Sequence, residues 1–118
     1  MKIKTSELID GALDWAVAKC EGCSEKRLNN AAMWLHIQQQ GAFRFSTDWS
    51  QGGPIIDREH ITIRYWDNCP LVHAYMPNIG ADWAEGPTAL IAAMRCYCCS
   101  KLGDVVDIPE ELCQQQKS

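Results

Sequence analysis

The sequence has no surplus of basic charge, no long apolar run and only two phenylalanines. Eleven Lys and Arg against fifteen Asp and Glu leave a net charge of −4. That balance argues against an electrostatic grip on a nucleic-acid backbone, so no nucleic-acid partner is expected. No apolar stretch approaches the roughly 20 residues needed to span a bilayer, so no membrane partner is expected either. Met1-Lys2-Ile3-Lys4-Thr5 lacks the apolar stretch of a signal peptide, and a cytoplasmic location is the expectation. A Gly-x-Ser-x-Gly elbow, a His-Glu-x-x-His pair and a phosphate-binding loop with its Lys are all missing. His36, His60 and His73 show no metal-ligand spacing. Nor does any repeat or linker divide the chain, which implies one domain over residues 1–113 with a frayed tail at 114–118.

Cysteine, by contrast, is abundant: there are seven. Cys20-Glu21-Gly22-Cys23 and Cys96-Tyr97-Cys98-Cys99 have the spacing of a metal knuckle. The second pair falls inside a helical stretch rather than at a tight turn, and small buried cysteines are common core residues. The expectation is free thiols, no zinc and no cofactor.

The densest polar run is Phe45-Ser46-Thr47-Asp48-Trp49-Ser50-Gln51-Gly52-Gly53-Pro54-Ile55-Ile56-Asp57-Arg58-Glu59. Ser, Thr and Asp favour turns, Gly52-Gly53 frees the backbone, and Pro54 suits the first position of a helix. The run is expected to be a structured loop feeding a short helix that begins at Pro54. Upstream, Thr5 or Ser6 is placed to cap a helix whose buried face is Ile9, Leu13, Ala16, Val17 and Cys20, with Trp15 at its edge and Gly22 ending it. Residues 24–40 suit either a helix, through Leu28, Ala32 and Leu35, or a strand at Met33-Trp34-Leu35-His36-Ile37. A turn at Gln38-Gln39-Gln40-Gly41 before Ala42-Phe43-Arg44-Phe45 favours a hairpin.

Downstream, residues 60–66 and 71–76 alternate as two antiparallel strands around an Asp67-Asn68-Cys69-Pro70 turn. Residues 77–85, including Trp83, are expected to be loop. Gly86-Pro87-Thr88 opens the longest helix and Gly103 closes it. Ala89, Ala93, Cys96 and Ser100 form a stripe of small residues along it. Val105-Val106-Asp107-Ile108 is a short strand, and Pro109-Glu110-Glu111-Leu112 a last helical turn. The class is α+β: an antiparallel sheet of about three to five strands packed against two main helices.

A binding site can be assembled from these parts. Ser46, Thr47, Asp48 and Gln51 offer hydrogen bonds. Gly52, Gly53 and Thr88 stand at glycine–proline helix starts, whose free N–H groups attract anions. Arg58 and Arg95 suit a phosphate or carboxylate, and Trp49 and Trp83 suit a stacked ring. No nucleophile is seen with a base, which favours a binding protein over an enzyme.

Several segments resemble the NinX-like family of tailed-phage proteins. They are Met1-Lys2-Ile3-Lys4-Thr5-Ser6-Glu7-Leu8 with Ala12-Leu13-Asp14-Trp15-Ala16-Val17-Ala18, then Ser46-Thr47-Asp48-Trp49-Ser50-Gln51-Gly52-Gly53-Pro54-Ile55-Ile56. Gly86-Pro87-Thr88 with Leu90-Ile91-Ala92-Ala93-Met94-Arg95-Cys96-Tyr97, and Ser100-Lys101-Leu102-Gly103-Asp104, complete the likeness. Residues 23–44 and 61–85, and the extra Cys98 and Cys99, depart from it. The resemblance implies a phage or prophage accessory protein in the infected host cell, and it assigns no catalytic residue. Site and setting together suggest a homo-oligomeric protein that sequesters a small anionic, nucleotide-like ligand, such as a nucleotide-derived host immune signal. One alternative is an adaptor or inhibitor of a host enzyme, anchored by Trp49, Trp66 and Trp83. Another is a small hydrolase using Asp48 or Glu59.

Overall fold

The computed structural model describes residues 1–77 and 83–113. In chain order these form β1 (Lys2–Lys4), a 3-10 turn (Thr5–Glu7), α1 (Asp10–Cys20), α2 (Glu25–Leu28), α3 (Ala31–Gln39) and α4 (Trp49–Glu59). There follow β2 (Thr62–Tyr65), β3 (Val72–Tyr75), β4 (Ala84–Gly86), α5 (Ala89–Leu102), β5 (Val105–Asp107) and a final 3-10 turn (Glu110–Leu112). The fold is α+β, as expected, with its strands divided between two antiparallel sheets: β1 with β5, and β2-β3-β4. No helix of the described residues is long and apolar enough to cross a membrane.

α5 is the element against which the others are arranged. Ala89, Leu90, Ala92, Ala93, Met94, Cys96, Tyr97 and Cys98 are all buried, so the helix is apolar around most of its circumference. A helix of that kind needs cover on several sides. It packs on β3 and β4 on one flank, α1 and the Thr5–Glu7 turn on another, and α4 on a third. Thr88 caps it, its Oγ1 accepting the Ile91 N–H at 3.2 Å, and Gly103 leaves it at φ +82°. The stripe of small residues does its work within the chain: Ala89, Ala93 and Cys96 are buried.

Four local expectations are corrected. Residues 24–40 form α2 and α3 rather than a hairpin arm, because Ser24 and Asn30 cap two successive helices by accepting the Arg27 and Met33 N–H groups. The chain 42–45 is correspondingly loop, not strand. α4 begins at Trp49, with Asp48 as its cap, so Gly52, Gly53 and Pro54 lie inside the helix instead of opening it. Thr5 caps no helix; it sits in the 3-10 turn, and its hydroxyl donates to Gly103 O at 2.8 Å. Within 77–85, residues 84–85 belong to β4, while 78–82 lie outside the described residues, as does the expected frayed tail at 114–118. The hairpin of β2 and β3 stands as read, with Ile63 opposite Ala74 and Arg64 opposite His73.

Two glycines let neighbours reach α5. A Cβ on Gly86 would lie 2.8 Å from Ala92 N, and one on Gly52 would lie 2.7 Å from Leu90 Cδ2 and closer still to the Phe45 carbonyl oxygen. Gly53, one residue on, would meet only Trp49 Cε3 at 3.7 Å. Adjacent substitutions should therefore act in opposite directions. Gly53→Ala should raise stability by up to about 1 kcal/mol, the helix-propensity gain. Gly52→Ala should lower it by about 1–3 kcal/mol, since overpacking outweighs that gain. Urea unfolding of the two variants checks both signs.

Candidate functional site

Between Ala12 and Ala18, α1 is apolar except at Asp14, which is only 4% exposed. An ionised carboxylate is costly to bury unless donors surround it. Two do. The Ser46 N–H donates to Oδ1 at 2.9 Å, and Gln38 Nε2 donates to Oδ2 at 3.0 Å. The same Gln38 nitrogen reaches Phe43 O at 2.8 Å, while Arg44 Nε and Nη2 clasp the Gln38 carbonyl at 2.9 and 2.8 Å. Gln51 continues the network: its Oε1 accepts the Arg44 N–H, and its Nε2 donates to Gly41 O and to Asp48 Oδ2. Asp48 in turn accepts the Ser50 N–H and hydroxyl at the start of α4. One polar chain thus runs from α1 through α3 and the 40–48 segment into α4.

The segment it holds is strained. Phe43 adopts φ +56°, the left-handed region that a side chain disfavours by roughly 1–3 kcal/mol. Its ring stacks on the buried Trp34 at 4.8 Å, which together with the Gln38 bond fixes that conformation. Asp10, one turn before Asp14, is left-handed as well, at φ +47°.

Asp14 opens onto a cleft of about 470 Å³ whose walls include Asp10, Leu35, Gln38, Arg44 and Thr47. Burial pushes the Asp14 carboxyl up to about 6, with Asp10 adding to the rise and the Ser46 and Gln38 donors opposing it. Each carboxylate oxygen has a second lone pair beyond the one it shares with the protein. The floor of the cleft can therefore accept donors from a ligand, and the Arg44 guanidinium puts a positive charge on its wall. Neither Asp14 nor Gln38 nor Arg44 belongs to the site expected from sequence. The available signal was a lone carboxylate within an otherwise apolar helical stretch.

The residues singled out from sequence are placed in several regions. Ser46, Asp48 and Gln51 join the Asp14 network, and Thr47 lines the cleft. Trp49 is 58% exposed on the first turn of α4, with Gly53 beside its ring and Gly52 pressed against Phe45 and Leu90. Arg58 forks onto Glu21 at 2.6 and 3.1 Å, binds Glu59 at 2.8 Å and donates to Tyr97 Oη. Arg58, with help from the Tyr97 hydroxyl, holds the Glu21 carboxyl below its usual range, while burial and Glu21 raise the Tyr97 hydroxyl. Arg95, half-buried, donates to Leu8 O at 2.8 Å and Glu85 O at 2.7 Å, joining the start of the chain to β4. Trp83 packs with Trp66 and Tyr75 on the three-stranded sheet. Thr88 is the α5 cap. Among the described residues, no group of three or more His, Cys, Asp or Glu is placed to hold a metal ion, and the seven cysteines are unbridged.

A family model described as Bacteriophage P22, NinX matches residues 4–101. No curated protein gives a match.

The Asp14 carboxyl carries a definite pH dependence. It keeps its proton to about pH 6 in the fold, against about pH 3.9 in an unfolded chain. Its stabilising contribution is full below about pH 4 and is lost as the pH rises through 6, on the order of 2–3 kcal/mol. Asn at this position does not titrate. The stability of Asp14→Asn relative to the natural protein should therefore climb between pH 4 and 7, whatever its offset at the acid end, as measured by urea unfolding across that range.

Proposed function

The chain belongs to the NinX family of phage proteins, and we propose that this member is an accessory protein that binds a small ligand in the Asp14 cleft. The observation that carries the reading is the buried carboxylate itself, open to a cleft that Arg44 also lines. Ser46 and Gln38 take one lone pair on each carboxylate oxygen, and a ligand bearing hydroxyl or amide donors would use the others. The volume falls within the usual range for small-molecule sites, about 300–1,000 Å³. Asp10, a left-handed non-glycine residue on its wall, adds support, since strain of this kind concentrates at functional sites.

The site suits a ligand of mixed character. Donor groups suit Asp14, and an anionic group suits Arg44, the cation of the lining. A nucleotide-derived host signal has both, in its ribose hydroxyls and its phosphate. Hydrolysis through Asp48 or Glu59 is disfavoured, because Asp48 is engaged at the head of α4 and Glu59 with Arg58. Asp48 is held below the usual carboxylate range by the Ser50 hydroxyl and amide, which suits a cap and not a general base at neutral pH. The adaptor reading keeps one observation of its own, the exposed Trp49 ring.

Calorimetry against a panel of mononucleotides, cyclic nucleotides and ADP-ribose-type compounds, with chromatography of the recovered ligand, tests the proposal. Binding with the ligand returned intact is expected. Asp14→Asn and Arg44→Ala should each weaken it about tenfold or more, the usual loss for a hydrogen bond to a charged group. A panel with no binder would put the adaptor reading first, and a chemically altered ligand would establish an enzyme.

A further inference from the structure

The three-stranded sheet has two faces of different character. Val72, Ala74 and Gly86 are buried on the face turned to α5, where Gly86 lies against Ala92. Strand alternation puts His73 and Tyr75 on the other face. The register places Arg64 opposite His73 and His73 opposite Glu85, so one row across that face reads Arg64, His73, Glu85. Arg64 and Glu85 are exposed on the two outer strands. His73 is 4% exposed because the Trp66 ring stacks over it at 3.8 Å; its Nδ1 has no partner, and its Nε2 lies 3.6 Å from the Glu85 carboxylate. Trp83 meets Trp66 edge-on at 5.5 Å and Tyr75 at 5.0 Å.

The rings close on one another, leaving a filled aromatic pad and not a cage for a small cation. Such a pad with opposite charges at its two edges is self-complementary. A two-fold axis parallel to the strands and above β3 sets β2 of one copy over β4 of the other. Because Arg64 and Glu85 share one row, that operation brings Arg64 over Glu85 of the second copy and Glu85 over its Arg64. We infer that this face is the interface of a symmetric dimer, with Trp66, Tyr75 and Trp83 at its centre and the two Arg64–Glu85 contacts setting its register. Ligand binding in the Asp14 cleft is a separate matter, since the cleft is built from α1, α3 and the 40–48 segment.

Sedimentation velocity with charge reversal tests the arrangement. The natural protein should sediment as a dimer at micromolar concentration. Arg64→Glu alone places like charges at both contacts, as does Glu85→Arg alone; each should weaken dimerisation by about a hundredfold or more and run as a monomer. Mixing the two monomeric variants should regenerate a dimer, because each then supplies the charge the other lacks. The double variant R64E/E85R should dimerise by itself, which keeps the test decisive if one single variant folds poorly by circular dichroism. A natural protein that stays monomeric throughout, single variants that remain dimeric, or a mixture and a double variant that both stay monomeric would each overturn the inference.

Discussion

A carboxylate buried in an apolar helix must be surrounded by donors, and the donors that Asp14 collects tie α1 to α3, the 40–48 segment and α4. Ser46 and Gln38 come from segments with little regular structure between them. Binding the same carboxylate fixes where the 40–48 segment leaves α3 and where it enters α4. Gln38 then holds the strained Phe43, Arg44 holds Gln38, and Gln51 joins Arg44 to the Asp48 cap. Buried polar chains of this sort are rigid when their members are satisfied, and here the one exception is the buried Ser46 hydroxyl, which has no partner of its own among the described residues. The network also reaches the cleft, whose lining includes its Asp14, Gln38 and Arg44 side chains.

The segments whose sequence resembles the family divide between this network and the packing of α5. In the run from Ser46 to Ile56, Ser46 binds Asp14, Asp48 caps α4 and Gly52 admits Leu90. Gly86 and Thr88 permit a close strand and cap a helix. Arg95 bridges two backbone carbonyls, Leu8 O and Glu85 O, and its half-burial lowers the guanidinium from its ordinary value by desolvation. These roles concern shape. The proposed ligand contacts fall to Asp14, Arg44 and Thr47, of which only Thr47 lies in the polar run from Phe45 to Glu59.

How far the fold was legible depended on whether local and tertiary signals agreed. α5 could be read because Thr88, the small residues and Gly103 all pointed to one helix. The β2–β3 hairpin was legible because its alternation is real, with Val72 and Ala74 inward. At Met33-Trp34-Leu35 the two periods coincide: Trp34 is buried and its neighbours exposed, as a strand would also have it. The deciding features were the caps at Ser24 and Asn30. Gly52-Gly53-Pro54 misled for a different reason. Local propensity makes it a helix start, but the Asp48 cap and the approach to Leu90 carry the helix through it. Asp14 was overlooked because a single acid in a helix is ordinary; its burial exists only once α3 and the 40–48 segment are in place.

Asp14 is an enclosed, donor-bound carboxyl of the cleft and not a solvated one at its rim. Carbon-13 NMR of the side-chain carboxyl, titrated from pH 3 to 8 and assigned through Asp14→Asn, measures this directly. A midpoint near 6 is expected, because burial raises the carboxyl more than the Ser46 and Gln38 donors lower it. A midpoint near 4, the value of an ordinary exposed aspartate, would contradict it.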